Sequence, residues 1–212
     1  MSKAEVEVEV QFEVQQELAI GLQGLQKKYK ADTNHAKQVT ALSEILFREL
    51  APLHGLSDGR LDWLRAAALL HDLGHFINER GHHRHSHHII SHDPALSTWP
   101  PAARDAIALV ALNHRKARAK GLEALSKTDL REIRAITALL RIADVLDVDH
   151  RQDVTIEAVT HDAAEHVLVL SVKHFDPVAH AERLQRKVGW AAELWQVAIT
   201  VDNGKQSVRI TC

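Results

Sequence analysis

Among the 212 residues there is one cysteine, Cys212, at the last position. A disulfide within the chain and a thiolate zinc site are therefore excluded, and a reducing compartment is compatible with that scarcity. No apolar run approaches the ~18–20 residues that span a bilayer. The N-terminal "MSKAEVEVEVQFEV" carries acidic residues where a signal peptide has an apolar core, so a cytoplasmic location and no membrane partner are expected. An excess of basic charge is missing too. The formal net charge is −2, and bulk nucleic-acid binding, which needs a basic stripe, is not expected. Internal repeats and low-complexity linkers are also lacking. The ordinary hydrophobic (45%) and charged (25%) fractions suit a globular protein long enough to bury a core.

Hydrophobic periodicity divides the chain. Val6, Val8, Val10, Phe12 and Val14 alternate with Glu and Gln, which reads as a half-buried strand, with a helix as the competing reading. A helix from about Gln15 to Lys30 should follow. "ADTNHAKQVTALSEILFREL" is amphipathic, with Asp32, Thr33 or Asn34 as its cap. "SDGRLDWLRAAALLHDLGHFI" reads as the next helix, opened by Ser57 or Asp58 and weakened by Gly74. Two more helices are expected in "PPAARDAIALVALNHRK" and "SKTDLREIRAITALLRIADVLDVDH". Beyond His150 the pattern changes: strands at "VTIEAVT" and "HVLVLSV", a helix at "VAHAERLQRKVGWAAELWQ", and a hairpin turning at Asn203-Gly204. The expected fold is mainly α: an N-terminal strand-like extension (1–21), a helical bundle (22–151) and a small C-terminal α+β appendage (152–212). A homodimer through the appended sheet, or through an exposed edge strand at the N-terminus, is a reasonable expectation.

Half of the 16 histidines fall between His71 and His92, in "HDLGHFINERGHHRHSHHIISH". The dipeptide His71-Asp72 stands out, since an imidazole and a carboxylate together suit borderline-hard divalent metals. Two residues do not fill a coordination sphere. His35 sits inside the first amphipathic helix, and Asp144 inside the otherwise apolar "LLRIADVLD". A lone buried carboxylate costs several kcal/mol unless paired or metal-bound, in order-of-magnitude terms. Pairing with Arg141, one turn earlier, is the bland alternative for Asp144. The pattern is thus His, His-Asp and Asp on three separate helices.

This pattern resembles the HD superfamily of metal-dependent phosphohydrolases. "LRAAALLHDLGHFI", "GHHRHSHHII", "NHRK" and "LLRIADVLDVDHR" are similar, in order and spacing, to the C-terminal HD domain of the exopolyphosphatase / guanosine pentaphosphate phosphohydrolase (Ppx/GppA) family. "LQKKYKADTNHAKQVTALSEILF" is similar to the start of that domain. The resemblance implies an HD-domain helical bundle and a metal set of His35, His71, Asp72, His85, His114 and Asp144, with Asp72 bridging two divalent ions (Mn, Fe, Co, Ni or Zn, with Mg as a further candidate). It places Arg115, Lys116 and Arg151 against substrate phosphate. His75 and His82 would be outer groups: His75 acting with Asp72 in catalysis, His82 contacting substrate. The other four histidines of the run, His83, His87, His88 and His92, are expected to face solvent, and the remaining six outside it, His150 among them, have no functional role.

The implied activity is hydrolysis of a phosphoester or phosphoanhydride, in a nucleotide or polyphosphate-related small molecule, by a metal-activated water. One departure limits the resemblance. The family's established phosphatase chemistry belongs to an actin-like domain, for which these 212 residues leave no room. Two alternatives stay open: a regulatory module that binds a metal or phospho-ligand without turnover, and a di-iron oxygenase using the same ligand set.

Overall fold

A computed structural model describes residues 21–115 and 119–211. The expected strand at Val6–Val14 and the candidate Lys116 lie outside the described residues.

Residues 21–28 are helical (α1). Asp32 then caps α2 (Thr33–Glu49), its carboxylate accepting from the N–H groups of Asn34 and His35. Val39, Leu42, Leu46 and Leu50 turn one stripe into the core. The short α3 (Ala51–His54) ends at Gly55, whose φ of 59° suits glycine. The single helix expected across "SDGRLDWLRAAALLHDLGHFI" is in fact two elements. α4 (Arg60–Leu70) stops before His71, and a 3₁₀ turn follows at Leu73–Phe76. Gly59, without a side-chain cap, precedes α4 in place of Ser57 or Asp58. The break is packing-driven at Gly74: a Cβ there would stand 2.1 Å from the His82 carbonyl oxygen and 2.6 Å from the Ser86 nitrogen. Glycine thus lets α5 (His82–His92) lie directly on the turn.

Pro101 opens α6 (Pro101–Asn113) at a position that needs no amide hydrogen. Ser126 caps α7 (Lys127–Leu146), which is buried along nearly all of its second half. Four strands form one sheet in the order β1 (Thr155–Asp162), β2 (Val167–Lys173), β3 (Ala198–Asp202), β4 (Ser207–Ile210). The outer pairs are antiparallel, and β2 runs parallel to β3 with α8 (Ala181–Trp195) as the crossover between them. The β3–β4 connection is longer than a two-residue turn, with Asn203 accepting from Lys205 and Gln206.

One apolar cluster runs from Leu22 through the helices to Leu168, Leu170, Val188, Ile199 and Ile210. The sheet and α8 therefore share a core with the bundle, and α8 packs along α7. No helix among the described residues is long and apolar enough to cross a membrane.

Candidate functional site

Several elements deliver one or two polar side chains each to the same point. α2 brings His35, the turn after α4 brings His71 and Asp72, the end of α6 brings His114, and α7 brings Asp144. His35, His71 and Asp144 form one group whose ligand atoms lie within 4.8 Å of one another; His71, Asp72 and His114 form a second, and Asp72, His75 and His82 a third.

Three of the imidazoles are oriented in the same way. His35 Nδ1 lies 2.8 Å from Asp147 Oδ2, His71 Nδ1 lies 2.9 Å from the Ala68 carbonyl, and His114 Nδ1 lies 2.7 Å from the Ala111 carbonyl. An oxygen accepts, so each Nδ1 carries a proton, and each Nε2 points inward. His82 Nδ1 has two neighbours, the Glu79 carbonyl at 3.1 Å and Arg115 Nη1 at 3.3 Å, which ask for opposite tautomers. Its Nε2 reaches His114 Nε2 at 3.1 Å.

The two oxygens of Asp72 face different groups. Oδ2 lies 3.3 Å from His71 Nε2 and 3.9 Å from His35 Nε2. Oδ1 lies 3.2 Å from His82 Nε2 and 3.5 Å from His114 Nε2. Asp144 Oδ1 closes the first side, 3.7 Å from His35 Nε2 and 4.0 Å from His71 Nε2. Ligands bound at ~2.0–2.2 Å to one ion lie roughly 3–3.5 Å apart, so these spacings leave room for a cation. Among the described residues, His35 Nε2, His71 Nε2 and Asp72 Oδ1 are buried without a hydrogen-bond partner. Orphaned atoms of this kind, in a set of imidazoles and carboxylates, fit a divalent metal.

Charge in the cluster is strongly coupled. Burial disfavours the charged form of His71, yet the adjacent Asp72 carboxylate outweighs it and raises the imidazole to about 9. A metal would have to displace that proton. Burial pushes His82 down to about 4 and His114 well below the usual histidine range, the second helped by the charge of His71. Burial opposes ionisation of Asp72 and Asp144, but His71 beside one and Lys187 beside the other hold both carboxyls well below the usual range.

The cluster opens into a cavity of about 240 Å³. His75 and His82 line one side with stacked rings 3.9 Å apart. Arg115, Arg183, Arg186 and Lys187 make the wall cationic. The Lys187 ammonium donates to Asp144 Oδ2. His150 also lines the cavity, stacked on His35 at 4.0 Å and held at Nδ1 by Asp32 at 2.9 Å.

Of the residues expected from the sequence, His35, His71, Asp72, His75, His82, His114, Arg115 and Asp144 are brought together. His85 and Arg151 are not. His85 joins none of the three groups, and its Cβ lies against Gly74; one turn of α5 earlier, His82 stands where His85 was expected. Arg151 pairs with Asp153 at 2.6 Å and lines a different surface hollow, against Lys173 and Asp176. His83, expected to face solvent, is buried, 1% exposed. Asp144 Oδ2 accepts from Lys187, a partner that the sequence reading did not consider. Sequence reasoning missed Asp147, His150, Arg183, Arg186 and Lys187. Asp147 had a signal, since it follows Asp144 by three residues on the same helical side; the α8 residues had none beyond helical spacing.

The family model for the Ppx/GppA phosphatase, domain III, matches residues 20–187. A guanosine-5'-triphosphate,3'-diphosphate pyrophosphatase of Pseudoalteromonas atlantica is 29% identical over 128 residues. That match covers 59% of this chain and 25% of the relative, so the chain spans only a fraction of the relative's length.

Proposed function

Because the chain belongs to the Ppx/GppA phosphatase, domain III family, we propose that it is a metal-dependent phosphohydrolase acting at the His/Asp cluster. The observation that carries this reading is the orientation of His35, His71 and His114. Each is anchored through Nδ1, and each turns Nε2 toward the carboxylates of Asp72 and Asp144. Two divalent ions would be held here, one by His35, His71, Asp72 and Asp144, the other by Asp72, His82 and His114. Bound there, such ions supply an activated water and neutralise developing phosphoryl charge. Mn, Fe, Co, Ni, Zn and Mg all accept such nitrogen and oxygen donors.

The chain's own residues do the rest. Asp72, with one oxygen facing His71 and the other facing His82, would contribute to both positions. Arg115, Arg183 and Arg186 receive the substrate's phosphate oxygens, since guanidinium groups bind them in a forked geometry. His75, its side chain 42% exposed and 3.7 Å from Asp72, exchanges a proton with the leaving oxygen at the cavity mouth. A cavity of about 240 Å³ takes the phosphate end of a small molecule and leaves the remainder outside. A phosphoester or phosphoanhydride of a nucleotide or polyphosphate-related compound suits this shape and charge. The name of the Pseudoalteromonas relative, a nucleotide pyrophosphatase, supports the same class.

The test begins with metal content and phosphate release from a panel of nucleotides and polyphosphates with each metal. His71→Ala and Asp72→Ala should abolish metal-dependent release. Full activity in either variant ends the proposal. A second reading, a module that binds a phospho-ligand without turnover, is favoured by the short coverage of the relative. Tight binding with no hydrolysis under any metal would select it.

A further inference from the structure

Lys187 differs from the other cations of the cavity. It is 9% exposed, whereas Arg115, Arg183 and Arg186 are exposed. A lysine at that depth needs a partner, and among the described residues its ammonium donates to Asp144 Oδ2. Asp144 is thereby divided: Oδ1 faces His35 and His71, and Oδ2 faces Lys187. The backbone at Lys187 is pinned as well. Arg141 Nε donates to the Lys187 carbonyl at 3.0 Å and Arg141 Nη2 to the Arg186 carbonyl at 2.5 Å. The lysine is thus held at the edge of the cavity by Asp144 in front and Arg141 behind.

We infer that Lys187 is a substrate-binding residue of this site, its ammonium tethered by Asp144 so that it meets an oxygen of a bound phosphate. The inference rests on the metal-site reading above. An ammonium has three donors; Asp144 engages it from one side, and the cavity that Lys187 lines lies beside it. Arg183 and Arg186, four and one residues before it on α8, line the same wall and extend the positive surface outward. The C-terminal part of the fold, through α8, is then part of the site and not an attachment to it. The bland alternative is that Lys187 only balances the charge of Asp144.

The two roles separate on metal and anion binding. A positive charge next to a ligand carboxylate repels a divalent cation, so its removal should tighten metal binding, while phosphate loses a contact. The full chain is stripped by chelation, and Mn²⁺ binding, then inorganic phosphate binding to the Mn²⁺-loaded protein, is measured by calorimetry. Lys187→Gln keeps a donor for Asp144 without the charge, and Lys187→Met removes both. Both variants should bind Mn²⁺ at least as tightly as the wild type and phosphate about tenfold more weakly, or worse. Lys187→Arg should hold phosphate within about threefold of the wild type.

Unchanged phosphate affinity in Lys187→Gln and Lys187→Met, whatever their Mn²⁺ affinity, would overturn the inference and leave Lys187 a counter-charge for Asp144. If Lys187→Met does not fold, Lys187→Gln and Lys187→Arg carry the comparison. A wild type that takes up none of Mn, Fe, Co, Ni, Zn and Mg overturns both this inference and the proposed function. A wild type that binds Mn²⁺ and phosphate but hydrolyses nothing overturns the hydrolase reading alone.

Discussion

Arg141 Nη1 donates to the carbonyl oxygen of Asn113 at 3.1 Å, one residue before His114. The same guanidinium grips α8 at residues 186 and 187, so one fully buried side chain on α7 ties together α6, α7 and α8. Burial lowers its pKa to about 10, still far above neutral pH. Its fork satisfies three carbonyls in three directions, which an ammonium on a shorter geometry does not reproduce. Arg141→Lys should therefore cost about 2–4 kcal/mol of stability, read by denaturant unfolding. Metal affinity should fall with it, because His114, the residue after Asn113, is positioned from this point. A variant with unchanged stability would show that the packing of α7 on α8 alone holds the site together.

Asp147 lies behind His35 as the acceptor of its Nδ1 proton at 2.8 Å, and its other oxygen accepts from the Gln152 amide at 2.9 Å. The carboxylate fixes the ring and makes Nε2 a better donor to a cation. Loss of such an outer partner typically weakens metal binding about 10–100-fold. Asp147→Ala is expected to show that loss in Mn²⁺ calorimetry. Asp147→Asn should lose less, since its amide oxygen still accepts from either the His35 ring or the Gln152 amide. Equal affinity in Asp147→Ala and the wild type would remove His35 from the ligand set.

His82 and His85 separate the geometric reading from the one that sequence order implies. Both lie on α5, three residues apart, but only His82 reaches Asp72 and His114. After equilibration with Mn²⁺ and removal of free metal, the wild type should carry two ions per chain. His82→Ala should carry one, and His85→Ala should match the wild type. Elemental analysis decides it; a loss in His85→Ala with none in His82→Ala would reverse the assignment.

Periodicity and composition were enough for α2, α6, α7 and α8, though not for the break after Leu70 or for α5, and for the change of character after His150 and a His, His-Asp, Asp pattern on separate elements. Asp144 was legible because a carboxylate in an apolar stripe has to be explained. His82 against His85 was not legible, because residues three apart share roughly one helical face. What selects between them is the entry of the chain into α5, at Gly81 with φ 90°, and the close seat of that helix on Gly74. The contribution of α8 was hidden for a different reason. Its spacing announces an amphipathic helix but not which helix it packs on, and Lys187 gains its meaning only when α8 lies along α7. His150 is similar: its φ of 52° turns the chain after α7 so that the ring falls onto His35.

His54 offers a pH test away from the site. It is buried, with Nε2 donating to the Phe47 carbonyl at 2.7 Å and Nδ1 accepting from the Leu56 amide at 2.9 Å. Both contacts use the neutral ring, and burial lowers its pKa in the folded chain, only partly offset by the Phe47 carbonyl. An unfolded histidine titrates near ~6.5. Between that value and the lower folded one, the unfolded chain binds more protons, so stability falls as pH falls. The contribution of His54 is complete above about pH 6.5 and is lost as pH drops toward and through the folded pKa. Denaturant unfolding of the wild type and His54→Gln, followed from pH 7.5 to pH 5, should show the wild type more stable at the upper end and the gap closing at the lower. The other buried histidines titrate alike in both proteins and cancel in the difference. A gap that widens as pH falls would mean that His54 is protonated in the folded chain, with the Leu56 amide no longer bound to it.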